Sequence, residues 1–218
     1  MKKKFKLLIF ASGSKTGGGS GFENLVLKAR EGILDANVIA VVSNHERGGV
    51  RERADRLNVP FIHFIGPWTE EEYKKLVEKS GAEFVALSGW LKLVAGLNPK
   101  TTFNIHPGPL PRFGGKGMYG HFVHEAVMEA FKKGELTHTQ ITMHFVTEKY
   151  DEGPIFFRLN IPILQDDTEE SLGKRVNCYE HEYQPIITNL VVQGKIKWDG
   201  INPSSLQIPL DYSIEQSV

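Results

Sequence analysis

The strongest constraint on the fold is the alternation of short apolar runs with amphipathic segments through the first half of the chain. The runs are bounded by Gly, Asn or Pro, as buried strands are. They lie at Lys6–Ala11, Val38–Val42, Pro60–Phe64 and Glu83–Leu87. The segments between them show helical spacing with charged outer faces, at Phe22–Leu34, Val50–Leu57 and Thr69–Lys79. This alternation predicts βαβ units, and therefore an α/β fold with a Rossmann-like, mostly parallel central sheet.

The second half of the chain predicts a mixed edge to this sheet. Strands are expected at Thr102–His106, Thr139–Thr147 and Pro154–Leu164, and helices at Met118–Lys133 and Thr168–Gly194. Proline disrupts helix interiors, so we expect the last helix to be broken or kinked near Pro185. We find no linker or repeat, and the sequence predicts a single domain over residues 1–218, with a tail at 196–218 that wraps the surface.

Composition narrows the class of protein. The 26 basic residues balance 26 acidic ones, whereas nucleic-acid binders usually carry a basic excess. The single cysteine, Cys178, excludes an intrachain disulfide and favours a reducing compartment. The apolar run behind the basic N-terminus is shorter than that of a signal peptide, and no run reaches the length of a membrane span. We therefore expect a cytoplasmic protein, without nucleic-acid or membrane partners, that acts on small molecules.

A glycine-rich loop, Ser12–Gly21, joins the first predicted strand to the first helix. Glycines let backbone N–H groups converge on an anion, and the following helix N-terminus favours negative charge. The loop is not a Walker A motif, because Ser14 precedes Lys15 and Thr16 where that motif has glycine. A dinucleotide fingerprint is also absent. A phosphate group is the expected occupant.

Asn104 and His106 form the sharpest local feature. On a strand they share one face, about 6.6 Å apart, at the carboxyl edge of the sheet where α/β proteins bind ligands. Taken alone, a structural histidine is about as common as a catalytic one. Asp151 lies on a Gly/Pro-bounded loop, where a turn-forming role and a proton-transfer role with His106 both remain open. His121, His124 and Glu125 do not follow a metalloprotease pattern, and we expect no metal.

Four motifs carry a resemblance to a known family: Asn104–Pro107, Leu110–Pro111, Met143–Val146 and Asp151–Pro154. In this order they closely resemble the formyltransferases that use 10-formyltetrahydrofolate, and the similarity runs from about Lys6 to Gly194. The resemblance implies roles for individual residues. The implied catalytic residues are Asn104, His106 and Asp151; the implied acceptor-binding residues are Gly19, Ser20, Gly21 and Glu180; the implied folate-binding residues are Trp90, Leu91, Lys92, Leu93, Val94 and His144.

The resemblance also implies a reaction. Within the family, the small single-domain enzymes of purine synthesis match best, which implies formyl transfer from 10-formyltetrahydrofolate, as co-substrate, to the amine of 5-phosphoribosylglycinamide. The phosphate-binding half would be residues 1–100 and the catalytic and folate-binding half residues 101–195, in a monomer or homodimer. Asp151 would keep His106 protonated. The alternatives are a formyltransferase for another amine, such as an amino-sugar nucleotide, and a non-catalytic folate- or phosphate-binding module.

The chain departs from the family pattern at positions that bear on the acceptor. Residues Lys15–Gly17 lengthen the phosphate loop, and Gly21 replaces the usual asparagine. An arginine often found near Thr69–Tyr73 is replaced by acidic residues. These changes affect substrate contacts more than the implied catalytic residues.

Overall fold

A computed structural model describes residues 4–218. The bounds of its elements, in chain order, are β1 Phe5–Phe10, α1 Ser20–Arg30, β2 Ala36–Ser43, α2 Gly49–Leu57, β3 Phe61–His63, α3 Glu70–Ser80, β4 Phe84–Leu87, β5 Thr102–His106, α4 His121–Lys132, β6 His138–Phe145, β7 Ile155–Pro162, α5 Glu169–Val192, a 3₁₀ turn Pro203–Ser205, and β8 Glu215–Ser217.

All eight strands of the described chain form one sheet, in the order β3-β2-β1-β4-β5-β6-β7-β8. The first five strands run parallel to one another, as βαβ connections require. The strand β6 is antiparallel to both β5 and β7, and β8 is parallel to β7. The expected α/β fold, with a mostly parallel sheet and a mixed edge, is confirmed.

Helices cover both faces of the sheet, because strands buried on both sides send alternate side chains to opposite layers. In β1, Leu7 and Ile9 pack into the layer that contains residues of α1, α2, α4 and α5. Their neighbours Leu8 and Phe10 pack with α3, around Tyr73 and Trp90. The carboxyl ends of β1, β4 and β5 thus meet at one edge between the two helical layers.

The last helix is continuous, so the break that was one of the two expected effects of Pro185 is absent. It runs unbroken through Pro185 for 24 residues. Proline has no N–H for the carbonyl four residues earlier, which here belongs to His181. The Asn24 side chain of α1 donates a hydrogen bond to that carbonyl, with an Nδ2–O distance of 2.7 Å. A contact between two helices thus satisfies the group that Pro185 leaves without an intrahelical donor.

The expectation for the tail was incomplete. Residues 215–217 add a strand to the sheet beside β7, rather than only covering the surface. Trp198 is buried against Phe145, and the Tyr212 hydroxyl donates to the Phe156 carbonyl. The tail is therefore part of the folded unit. Within residues 4–218, no helix has the length and apolar character needed to cross a membrane.

Candidate active site

A cavity of about 600 Å³ lies at the carboxyl edge of the sheet. Its walls come from the glycine-rich loop between β1 and α1, the ends of β4 and β5, the segment before α4, and one face of α5. The residues that line it include members of the glycine-rich loop, residues that the sequence predicts for the site, and their neighbours. They are Gly13, Ser14, Gly18, Gly19, Ser20, Gly21, Ser88, Gly89, Trp90, Leu91, Asn104, His106, Tyr150, Asp151, Asn177, Glu180 and Gln184. The volume is typical of a site for small molecules.

The structure brings Asn104, His106 and Asp151 together at one end of this cavity. The Asn104 amide nitrogen is 3.3 Å from Asp151 Oδ1, and His106 Nδ1 is 3.8 Å from Asp151 Oδ2. Both strand residues therefore face the same carboxylate, as the alternation along β5 predicts. Asp151 adopts a left-handed backbone conformation with φ of 55°, which is uncommon for a residue other than glycine.

His144 supports the site from the neighbouring strand. It lies opposite Asn104 in the antiparallel pairing of β5 with β6, and it is 2% exposed. Its Nδ1 is 2.8 Å from the Phe145 carbonyl oxygen, so Nδ1 carries a hydrogen. Its Nε2 lies 3.1 Å from the Asn104 amide nitrogen and 3.4 Å from Asp151 Oδ1. His144 is thus placed to orient Asn104, and it is not among the residues that line the cavity.

The Gly-rich segment before α4 holds both His106 and Asp151. His106 Nε2 is 2.8 Å from the Phe113 carbonyl oxygen, which makes Nε2 a donor and leaves a lone pair on Nδ1 of the neutral ring. The Gly115 backbone N–H donates to Asp151 Oδ2 at 2.9 Å. This segment therefore selects the tautomer of the imidazole and fixes one carboxylate oxygen.

Burial decides the charge of His106. Desolvation lowers the pKa of the His106 imidazole, although the charge of Asp151 and the Phe113 carbonyl both act to raise it. For Asp151, burial acts to raise the pKa, but hydrogen bonding with His144 and Gly115 and the proximity of His106 outweigh it, so the pKa is lowered. These directions favour a neutral imidazole beside an ionised carboxylate. Burial of the His106 side chain, which is 3% exposed, therefore acts against the protonated form expected from the sequence.

The glycine-rich loop also lines the cavity, at the N-terminus of α1. Gly19 is the N-cap of α1, and Ser20 and Gly21 form its first turn, where backbone N–H groups have no intrahelical acceptor. The extra residues form a tight turn, closed by a 2.9 Å hydrogen bond from Ser14 N–H to the Gly17 carbonyl. A Cβ at Gly48 would lie 2.1 Å from the Ser14 carbonyl oxygen, so only glycine lets α2 begin against this turn. Lys15 is exposed and outside the cavity lining.

Glu180 lines the cavity from α5. Burial raises the pKa of its carboxyl to about 7, and the hydrogen bond from Asn177 offsets only part of this effect. The Asn177 Nδ2 to Glu180 Oε2 distance is 3.2 Å. Glu180 is therefore a hydrogen-bonding group whose charge changes near neutral pH.

The residues expected to bind folate do not all face the cavity. Trp90 and Leu91 line it, and Trp90 also donates to the Tyr73 hydroxyl at 3.0 Å. Lys92 places its ammonium 4.4 Å from the centroid of the Trp68 ring. Of the remaining two, Leu93 is 38% exposed and Val94 is buried in the α3 layer. The structure thus places only the first two of these five residues at the wall.

Two histidines of α4 also line the cavity. His121 is exposed, whereas His124 is 8% exposed and its pKa is lowered by burial to about 4. His124 Nδ1 has no hydrogen-bond partner among residues 4–218. No group of three His, Cys, Asp or Glu side chains in that range is arranged to hold a metal ion.

Several contributors to the site have no motif in the sequence. The Phe113 carbonyl and the Gly115 N–H are backbone groups, which no side-chain motif in the sequence marks. Gln184 lines the cavity and is 1% exposed. Its only signal in the sequence is its position four residues after Glu180, which puts both on one face of a helix.

Comparison with known proteins agrees with this geometry. Residues 5–188 match the family model described as formyl transferase. The chain is 34% identical over 212 residues to "Phosphoribosylglycinamide formyltransferase, chloroplastic" of Arabidopsis thaliana, covering 91% of this chain and 70% of that protein. It is 30% identical over 192 residues to "Phosphoribosylglycinamide formyltransferase" of Bacillus subtilis (strain 168), covering 84% of this chain and 92% of that protein.

A solved structure gives the same result. Glycinamide ribonucleotide transformylase 1 from Symbiobacterium toebii matches with a TM-score of 0.79 at 27% identity, with 95% of each chain covered. The family match spans most of the chain and includes Asn104, His106 and Asp151. The chain belongs to the formyl transferase family.

Proposed function

We propose that this protein transfers the formyl group of 10-formyltetrahydrofolate to the amine of 5-phosphoribosylglycinamide, a step of purine (IMP) biosynthesis. The observation that carries the proposal is the arrangement of one cavity. Asn104, His106 and Asp151 line it as one contacting group, and a glycine-rich helix N-terminus suited to phosphate lines it as well. Relatives from Arabidopsis thaliana and Bacillus subtilis named phosphoribosylglycinamide formyltransferase support the choice of acceptor.

Asn104 is assigned to the oxyanion. Attack of the acceptor amine on the formyl carbon places negative charge on the formyl oxygen. The Asn104 amide nitrogen lies 3.1 Å from His144 Nε2 and 3.3 Å from Asp151 Oδ1. These two atoms are 3.4 Å apart, so they lie on one side of the nitrogen and leave the second amide hydrogen for the oxyanion. A donor positioned for an oxyanion contributes roughly 3–4 kcal/mol to catalysis.

His106 and Asp151 are assigned to proton transfer. Because the Phe113 carbonyl holds Nε2–H, neutral His106 accepts the amine proton at Nδ1. Asp151, 3.8 Å away, stabilises the resulting imidazolium. The proton then passes to the folate nitrogen as its bond to the formyl carbon breaks. Over the whole step, the acceptor amine loses one hydrogen and the departing folate nitrogen gains it.

The residues proposed to bind the two substrates belong to the same cavity or to the segment beside it. Gly19, Ser20 and Gly21 would hold the acceptor phosphate by backbone N–H groups, and Glu180 would accept from the ribose hydroxyls. Trp90 and Leu91 offer an apolar wall to the flat pterin, which fits the donor. Lys92, Leu93 and Val94 extend the same segment beyond the cavity, where they would support that wall. His144 acts through Asn104.

We also propose roles for the three parts of the chain, an oligomeric state and a location. Residues 1–100 supply the phosphate loop and the Trp90 wall, residues 101–195 supply the catalytic groups and Glu180, and residues 196–218 complete the sheet. The reaction uses small-molecule substrates, in a monomer or homodimer, and the proposed location is cytoplasmic. Side chains of this chain carry out each step of the proposed reaction, and no metal is proposed.

A parallel assay tests the choice of acceptor. Purified protein is incubated with 10-formyltetrahydrofolate and either phosphoribosylglycinamide or an amino-sugar nucleotide, and kcat/KM is measured for each. We expect phosphoribosylglycinamide to be preferred by at least two orders of magnitude. A preference for the amino-sugar nucleotide would overturn the proposed acceptor, and no transfer to either would favour a binding module.

A further inference from the structure

Ser88 and Gln184 form a buried polar pair on the floor of the cavity. They are 8% and 1% exposed, and both line it. The Ser88 hydroxyl donates to Gln184 Oε1 at 3.4 Å, joining the end of β4 to α5. The Gln184 amide nitrogen makes no hydrogen bond to another residue within 4–218. This nitrogen is not among the fully buried side-chain atoms that lack a partner, so it is open to the cavity, where a ligand is the natural acceptor for its hydrogens.

The pair lies against the first turn of α1. A Cβ added at Gly21 would be 2.3 Å from Ser88 Oγ and 3.4 Å from Gln184 Oε1. Any larger side chain at position 21 would therefore displace this pair. The glycine that ends the phosphate loop and the two polar side chains thus form one packed unit.

A phosphate bound in this cavity would need neutral hydrogen-bond donors such as the Gln184 amide. No lysine or arginine is among its lining residues in the described part of the chain, whereas the carboxylates of Asp151 and Glu180 are. Beside the α1 N-terminus, a phosphate would be held by backbone N–H groups, the helix dipole and neutral side-chain donors, since the two lining histidines belong to α4. Gln184 lies next to the loop that supplies those N–H groups.

The polar face of α5 sets the direction in which an acceptor would lie. Asn177, Glu180 and Gln184 are spaced by three and four residues, so they share one face, and each lines the cavity. Gly173, one turn before Asn177, packs on His124. The face therefore extends from the phosphate loop at Gln184, through Glu180, toward the end of the cavity that holds His106.

We propose that Gln184, oriented by Ser88, binds the phosphate of the acceptor through its Nε2 amide and so sets specificity for a phosphorylated acceptor. The proposal rests on the proposed function for the identity of the acceptor. Ser88 is a positioning residue, and Gln184 is the residue that touches substrate. Gly21 leaves the space in which the two side chains meet.

The test compares phosphorylated and unphosphorylated acceptors. KM and kcat are measured for phosphoribosylglycinamide and for glycinamide riboside with wild type, Gln184→Glu, Gln184→Met and Ser88→Ala. Gln207→Glu, an exposed change of the same charge in the tail, is the matched control. The binding of ribose 5-phosphate alone is measured by calorimetry, and circular dichroism checks the fold of each variant.

We expect Gln184→Glu to raise KM for the phosphorylated acceptor roughly tenfold or more, with a larger effect on KM than on kcat. The riboside should show no such rise, because it lacks the phosphate. Gln184→Met should weaken ribose 5-phosphate binding similarly, Ser88→Ala less, and Gln207→Glu not at all. Equal losses for both acceptors, or unchanged ribose 5-phosphate binding in folded Gln184 variants, would overturn the proposal. If wild type binds ribose 5-phosphate but transfers no formyl group to phosphoribosylglycinamide, the proposed function fails while the phosphate contact remains testable by binding.

Discussion

At the scale of single residues, Asp151 connects the groups on which the proposed chemistry depends. Its two oxygens contact the Asn104 amide, the His144 ring, the His106 ring and the Gly115 N–H. These contacts outweigh the cost of burial and keep the pKa of the carboxyl low. The negative charge is therefore available to stabilise a proton on His106.

Asp151→Asn tests that charge. Asparagine also tolerates a left-handed backbone, so the loop should keep its shape. We expect kcat to fall by roughly two to four orders of magnitude, the usual contribution of proton transfer, with little change in Tm. Asp166→Asn, an exposed change of the same charge, is the control. Near wild-type turnover in folded Asp151→Asn would contradict the role assigned to Asp151.

Glu180 gives a prediction about pH. Its pKa is raised from 4.5 to about 7, so its neutral form is favoured by folding. The stability that this group contributes is present below pH 4.5 and is lost as the pH rises through about 7. We expect Glu180→Gln to gain stability over wild type between pH 5 and pH 8.5, by about 2–3 kcal/mol.

Urea unfolding at several pH values measures this difference. Glu182→Gln, an exposed change on the same helix, is the matched control, and its difference from wild type should not follow the same curve. A stability difference for Glu180→Gln that is independent of pH would show that the carboxyl is ionised throughout this range.

At the scale of elements, α5 depends on a contact with α1. The carbonyl of His181 accepts from Asn24 because Pro185 offers no N–H. Asn24→Ala would leave this carbonyl without its donor, and we expect a loss of about 1–3 kcal/mol in the free energy of unfolding. In a Pro185→Ala background, residue 185 regains an N–H for the same carbonyl, so the loss should be smaller.

A double-mutant cycle by chemical denaturation measures that coupling. Additive losses from Asn24→Ala and Pro185→Ala would mean that the Asn24 side chain does not compensate for the proline. The same two helices line the phosphate end of the cavity, so the contact bears on the site as well as on stability.

The elements also show what a sequence can predict. Strand spacing placed Asn104 and His106 on one face, and the loop signals located Asp151, because these are local patterns. The unbroken α5 and the neutral His106 follow from contacts between distant residues and from burial, which no local pattern contains. The strand β8 is short and polar, and it forms by pairing with β7. Gln184 likewise gains its place from residues of β4 and α1.

At the scale of the whole molecule, the sheet brings the two halves of the chain to one cavity. The glycine-rich loop follows β1, Asn104 and His106 lie on β5, and Asp151 follows β6. The chain has zero formal net charge, so it has no overall field to attract an anionic acceptor. Recognition of the acceptor must therefore come from the cavity itself, through the α1 N-terminus and the polar face of α5.

In the proposed reaction the formyl group passes directly from the folate to the acceptor amine. The most direct measurement uses 10-formyltetrahydrofolate labelled with carbon-13 in the formyl group, mixed with enzyme and phosphoribosylglycinamide in a single turnover and followed by NMR. We predict that the label appears in the formamide of the acceptor in an amount equal to the folate consumed, with formate at background. Label appearing as formate while the acceptor is unchanged would identify the reaction as hydrolysis and contradict this account.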